Sequence, residues 1–215
     1  QGIDPALFHP APRRWLFPGR FVVFSGGKLE ARKGQDNVIA AWRIFAARHP
    51  DALLISAWHN HWPDGARGID ASRRAAPLPF RTDGTPDIAA WVAANGIKPD
   101  QFLDLGVVPN ALLAPILREA DAAIFPNRCE GGTNLVAMEA MACGVPVLAY
   151  RRGGPAELVQ PGLNGLLVPP DDVEALAKAV GQVRAIERAQ CRLWVEGHAS
   201  RQVMAERIEA WVNQA

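Results

Sequence analysis

The chain lacks any marked imbalance of charge: its 215 residues carry 23 lysines and arginines against 22 aspartates and glutamates, a formal net charge of +1. That excludes a general electrostatic pull toward nucleic acid or anionic lipid. Local basic pairs at Arg13-Arg14, Arg73-Arg74 and Arg151-Arg152 read as solvated surface. Cysteine is scarce as well. Cys129, Cys143 and Cys191 are odd in number and lack metal-ligand spacing, which argues against a disulfide framework and fits a reducing compartment. No apolar run is long enough to span a bilayer and no signal peptide opens the chain, so a cytoplasmic location is expected. Internal repeats, low-complexity blocks, the Walker spacing and a G-x-G-x-x-G fingerprint are also absent. What remains is a chain that is 49% hydrophobic and long enough for one domain, residues 1–215, with a sizeable core.

The most informative stretch runs from Phe125 to Tyr150 and reads as strand end, glycine loop, buried helix and next strand. The helix is expected to begin near Thr133, whose hydroxyl caps free backbone N–H groups, and to stop at Gly144 with Pro146 beyond. Between those limits nearly every residue is apolar or small, and Glu139 carries the sole charge. A buried carboxylate is costly unless hydrogen-bonded, and helical side chains lean toward the N-terminus, so Glu139 is expected to reach toward the Gly132–Thr133 mouth. Glycines allow close approach to the backbone, and the N–H groups of a helix start favour a phosphate. Diphosphate plus ribose is the natural fit. The bland alternative pairs Glu139 with a buried arginine or backbone amide and makes the glycines a tight turn; the stretch alone leaves both open.

The run Glu139-Ala140-Met141-Ala142-Cys143-Gly144-Val145-Pro146-Val147 resembles, without a gap, the signature of family 4 glycosyltransferases, which have the two-domain GT-B fold. In that pattern a second glutamate precedes the run at a separation of seven residues. Here eight residues separate Glu130 from Glu139. Either a one-residue bulge at Gly131-Gly132 restores the first carboxylate, or Glu130 has lost the family role.

Residues 1–20 are rich in proline and aromatic side chains without a period and form an extended lead-in. They resemble the family segment that follows the interdomain linker, which implies a preceding amino-terminal domain that binds the acceptor. Phe21 to Ser25 is a buried strand ending at Gly26-Gly27, followed by a loop from Lys28 to Gly34 and a helix from Gln35 to His49. Lys28 and Lys33 thus sit where an open α/β sheet binds ligands. The resemblance extends to the family's "GRL…KG" pattern, whose Arg and Lys hold the donor diphosphate. Lys28 replaces the arginine, keeping charge but losing bidentate geometry.

A second strand, Ala52 to Trp58, runs into His59-Asn60-His61-Trp62, where alternation puts both histidines on one side. Two ligands are too few for a metal, so they read as polar lining of a cleft. The family usually has Gly-x-Gly here. Residues 63–84 show no period and are expected to be a long irregular stretch, functional or mobile, with Arg67, Arg73, Arg74 and Arg81 solvated. A helix from Pro86 to Asn95, capped by Thr85, and a strand from Phe102 to Leu105 follow. The family turn at Gly106 to Pro109 cradles the nucleobase, making Gly106 and Val108 candidates. Asn110 is expected to cap a helix to Ala120. Strands then lie at 122–125, 145–149 and 166–168, a short helix follows the glycines at 153–154, and Asp171-Asp172 caps the carboxy-terminal helices of residues 172–215.

Strands alternating with helices imply an α/β fold: an open, doubly wound, parallel sheet of about six strands, Rossmann-like, with its site at the strand carboxyl ends. The resemblance implies the nucleotide-sugar-binding half of a retaining glycosyltransferase that moves a hexose to an acceptor alcohol. Lys28, Lys33 and the amides of Gly131, Gly132, Thr133 and Asn134 would hold the diphosphate, Glu139 the ribose, and Glu130 the sugar. Gly27 and Leu135 complete the donor contacts, no metal or other cofactor is expected, and the isolated chain should transfer little. Two other classes stay open: a non-catalytic nucleotide-binding or subunit-docking module, and a nucleotide-sugar epimerase, for which no acid/base pair can be named.

Overall fold

In the computed structural model, which describes residues 1–130 and 132–214, six parallel strands form one sheet in the order β3-β2-β1-β4-β5-β6. They are β1 (Phe21–Lys28), β2 (Ala52–His59), β3 (Phe102–Asp104), β4 (Ala122–Phe125), β5 (Val147–Tyr150) and β6 (Gly165–Val168). β4 and β5 are buried at every position, which alternating strands with one wet face never show. Helices supply the two covers. α1 (Gln35–Ala46) packs with α6 (Val173–Gln182), while α3 (Asn110–Glu119) and α7 (Arg188–His198) pack on α4 (Leu135–Ala142). α2 (Ile88–Ala94), α5 (Gly154–Leu158) and α8 (Arg201–Val212) complete the set. No helix among the described residues is long and apolar enough to cross a membrane.

Several boundaries move for local reasons. α1 ends at Ala46 rather than His49, because Pro50 disfavours helical geometry in the residue before it. β5 starts at Val147 rather than Val145, since Pro146 has no N–H for the ladder. β1 runs on to Lys28, in register with His59, so the glycines expected in a loop lie within a strand end. Asp87, not Thr85, caps α2 by accepting from the Ala90 amide, and Asn134, not Thr133, caps α4 by accepting from Ala137 at 3.2 Å. A cap oxygen must reach an amide two or three residues on, and the helices start later than the apolar pattern suggests.

Two larger expectations also change. Within 63–84, Pro63–Ser72 is a 3-10 helix that buries Ala66 and Ile69, three residues apart. Its period of three is invisible to a search for 3.6. The lead-in docks onto the carboxy-terminal helices: the Ile3 amide donates to Ala199 at 2.8 Å, Ile3 accepts from Arg201 at 2.9 Å, and Phe8 is buried.

Candidate active site at the sheet switch point

The chain winds outward from β1 to β3 and then returns to place β4 on the other side of β1. Loops leaving β1 and β4 therefore diverge, and the crevice between them is where doubly wound sheets take ligands. Here the two loops are tied together. The amides of Arg128 and Cys129 donate to the Arg32 carbonyl at 2.8 and 3.2 Å. The Arg128 guanidinium grips the buried Asp36 carboxylate at 2.7 and 2.5 Å and the Ala31 carbonyl at 2.8 Å. Such a bidentate pair is geometrically specific, so it sets one loop against the other.

This clasp brings Lys33 and Glu130 together. The Lys33 ammonium donates to both Glu130 oxygens at 2.5 and 2.9 Å, and the Asn127 amide adds a bond at 2.6 Å. Arg32 stands 3.4 Å away. Lys28, expected beside Lys33, lies apart from it: exposed at the end of β1, its ammonium stacks over the Trp62 ring at 5.0 Å. A cavity of about 270 Å³ opens beside it, lined by Gly27, Lys28, His59, His61, Gly106 and Val108 among others. The structure thus gathers the proposed base-binding turn and the β1 glycine in one cavity.

Glu139 is buried, with 8% of its surface exposed, and burial pushes its carboxyl up to about 7. Its hydrogen-bond donor is the Asn110 side chain at 3.3 Å, so its recorded contact lies toward α3 rather than the 132–133 mouth. Pro109 occupies the cap position of α3, which leaves the Asn110 side chain free for this bond. Sequence reasoning read Asn110 as a cap and missed its role as the partner of Glu139. Of the glycine loop, Gly131 lies outside the described residues. The Thr133 hydroxyl donates to the Gln1 side chain, Leu135 is exposed, and a Cβ at Gly154 would lie 2.0 Å from the Gly132 carbonyl oxygen. Only a bare α-carbon lets the start of α5 back the loop this closely.

Of the arginines expected to be solvated, Arg67, Arg73 and Arg81 are exposed and Arg74 is half-buried. Arg67 pairs with Asp64 at 2.7 Å and stacks on Phe80, Arg81 approaches Asp87 at 3.5 Å, and Arg74 donates to the Asp171 carbonyl at 2.5 Å. Arg128 and Arg152 also face the Asp171 carboxylate, at 3.5 and 3.8 Å. Among the described residues no group of three or more His, Cys, Asp or Glu could hold a metal ion.

The D-inositol 3-phosphate glycosyltransferase of Acidothermus cellulolyticus is 31% identical over 194 residues, covering 85% of this chain and 39% of that protein. The GDP-mannose-dependent alpha-(1-6)-phosphatidylinositol monomannoside mannosyltransferase of Mycolicibacterium smegmatis is 30% identical, covering 91% and 49%. The chain thus spans half or less of the length of these relatives. Among solved structures, the C-terminal domain of a glycosyl transferase group 1 family protein from Francisella tularensis matches over its whole length and 93% of this chain, at 20% identity with a TM-score of 0.72. HepE of Anabaena, in complex with UDP and glucose, matches all of this chain with 56% of its own at a TM-score of 0.77 and 19% identity. The family profile described as Glycosyl transferases group 1 covers residues 19–185, so this chain belongs to that family, with the fold of a GT-B carboxy-terminal domain.

Proposed function

We propose that this domain binds the nucleotide diphosphate sugar of a metal-independent, retaining glycosyltransferase of family 4, and that the whole enzyme passes a hexose to an acceptor alcohol held by a further, amino-terminal domain. The observation that carries this reading is the Lys33–Glu130 pair, set at the switch point by the Arg128–Asp36 clasp. As the glycosidic bond breaks, charge gathers on the leaving diphosphate. Lys33, Lys28 and the amides at the start of α4 are the groups that meet it, fixed in advance and without a metal. An arriving phosphate competes with Glu130 for Lys33, which frees the carboxylate to take a sugar hydroxyl. Glu139, hydrogen-bonded to Asn110, accepts from the ribose. A curated relative is named for GDP-mannose and a structural neighbour holds UDP, so both bases belong in the test. Three free thiols fit a cytoplasmic setting.

Calorimetric titration with UDP, GDP and ADP tests the reading. One of them is expected to bind the wild type, and Lys33→Ala to weaken it by about 1.5–3 kcal/mol, the worth of a charged hydrogen bond. Equal affinity in the variant overturns the assignment of Lys33. The isolated chain is also expected to transfer little sugar, and robust transfer by these 215 residues alone would sink the need for a second domain.

A further inference from the structure

The cavity at the end of β1 carries, beside Lys28, two histidines with no part in the proposed function. β2 runs out in register with β1, so His59 lies opposite Lys28. Asn60 then turns inward, 5% exposed, donating to the Leu29 carbonyl at 3.0 Å and accepting from the Trp62 amide at 3.0 Å. With Asn60 pinned inside, its two neighbours are directed outward. The His59 and His61 rings meet edge to face, with centroids 4.7 Å apart, and both line the cavity with Lys28. Lys33 has its carboxylate partner, but Lys28, His59 and His61 have none within 4.0 Å among the described residues.

Among the described residues, the other elements around the cavity bring no acid to its lining. Its lining from β3 onward is Gly106, Val107, Val108, Leu113 and Val136. On the histidine segment itself Asp64 pairs with Arg67 at 2.7 Å, and on β3 Asp104 accepts from the Ser56 hydroxyl. A wall of one ammonium and two imidazoles, open to solvent and without a counterion, is a place for an anion. A nearby anion favours the protonated, donating form of an imidazole.

We propose that His59 and His61 form with Lys28 a second cationic wall of the donor pocket, which binds a phosphate of the nucleoside diphosphate and couples that binding to proton uptake. This rests on the donor-site reading above. Its consequence is a donor affinity that strengthens as pH falls through this wall, opposite in sign to the contribution of Glu139.

The test titrates UDP, GDP and ADP into the wild type and the double variant His59→Gln/His61→Gln, at pH 6 and 8. Two buffers of different ionisation enthalpy give the protons taken up on binding. The variant is expected to bind the nucleoside diphosphate about tenfold more weakly at pH 6, with a smaller deficit at pH 8 and less proton uptake. Proton release from Glu139 is common to both proteins and cancels in the difference. Unchanged thermal unfolding, and unchanged affinity for the nucleoside of the same base, show that the pocket is intact. Equal affinity and equal proton uptake in the two proteins overturn the proposal while leaving the donor site standing. Loss of nucleoside binding in the variant makes the histidines structural and also overturns it. If none of the three nucleotides binds either protein at millimolar concentration, the donor-site reading falls and the proposal with it.

Discussion

Replacing Glu139 with glutamine is expected to stabilise the ligand-free protein at pH 8 and, in the same molecule, to weaken its hold on nucleoside diphosphate. The carboxyl is held up to about 7 by burial, against an ordinary 4.5. Between those values the unfolded chain has already lost its proton while the folded one keeps it. Folding stability therefore falls as pH rises from 4.5 through 7, and the group contributes fully only below that window. The displacement corresponds to about 3 kcal/mol at pH 8. Glutamine keeps the shape and the acceptor for Asn110 without the ionisation, so the variant is expected to hold its stability across the window while the wild type declines. Urea unfolding of both proteins at pH 5 and pH 8 measures this, and parallel pH dependence would show that Glu139 is not the cause. On the proposed function the ionised form accepts ribose hydroxyls in the donor complex, and affinity from this group is then expected to rise with pH through about 7. The glutamine variant is expected to lose about 1.5–3 kcal/mol of binding. A residue whose neutralisation stabilises the fold and impairs binding is retained for the ligand, not for the core.

Gly34→Ala is expected to be strongly disruptive for a single added methyl. Gly34 has φ +74°, and an added Cβ would lie 2.2 Å from the Pro126 carbonyl oxygen. Left-handed strain and the clash together cost about 2–5 kcal/mol, a large share of the stability of an ordinary domain. The neighbour is backbone, so the loop after β4 must retreat by about 1 Å to reach ordinary contact. That retreat loosens the amide bonds from Arg128 and Cys129 to Arg32, and with them the Lys33–Glu130 pair. Unfolding in urea is expected at clearly lower denaturant and nucleotide affinity to drop with it. Gly197→Ala is the control: it lies within α7, and nothing stands within 4 Å of the added carbon. Gly197→Ala is expected to be neutral or mildly stabilising, and the same outcome for Gly34→Ala would show that the close approach at Gly34 is relaxed in solution.

The sheet was legible because its strands are short apolar runs between glycines and prolines, and β4 was read to the residue. Burial on both faces leaves few alternatives for such segments. Caps are less legible: the sequence points to Thr85 and Thr133, whereas Asp87 and Asn134 hold the cap positions, because a cap is defined by where an oxygen meets an amide. The 3-10 helix at Pro63–Ser72 was missed for want of the right period. In the site, Glu139 stood out as the sole charge on a buried helix, whereas Asn110 did not, because its partner is 29 residues away.

By itself, then, the sequence determined the class of fold, the order of strand and helix, and the family, since these depend on local apolar pattern and on one contiguous run. Only the tertiary structure decided which charges meet. Lys33 and Glu130 are 97 residues apart, and Arg128 and Asp36 are 92 apart, so no spacing rule connects them. The return of the chain across β1 puts their loops side by side. Lys28, so near Lys33 in sequence, is directed by the strand register toward His59 instead. Electrostatics acts through space, and the winding of the sheet sets those distances.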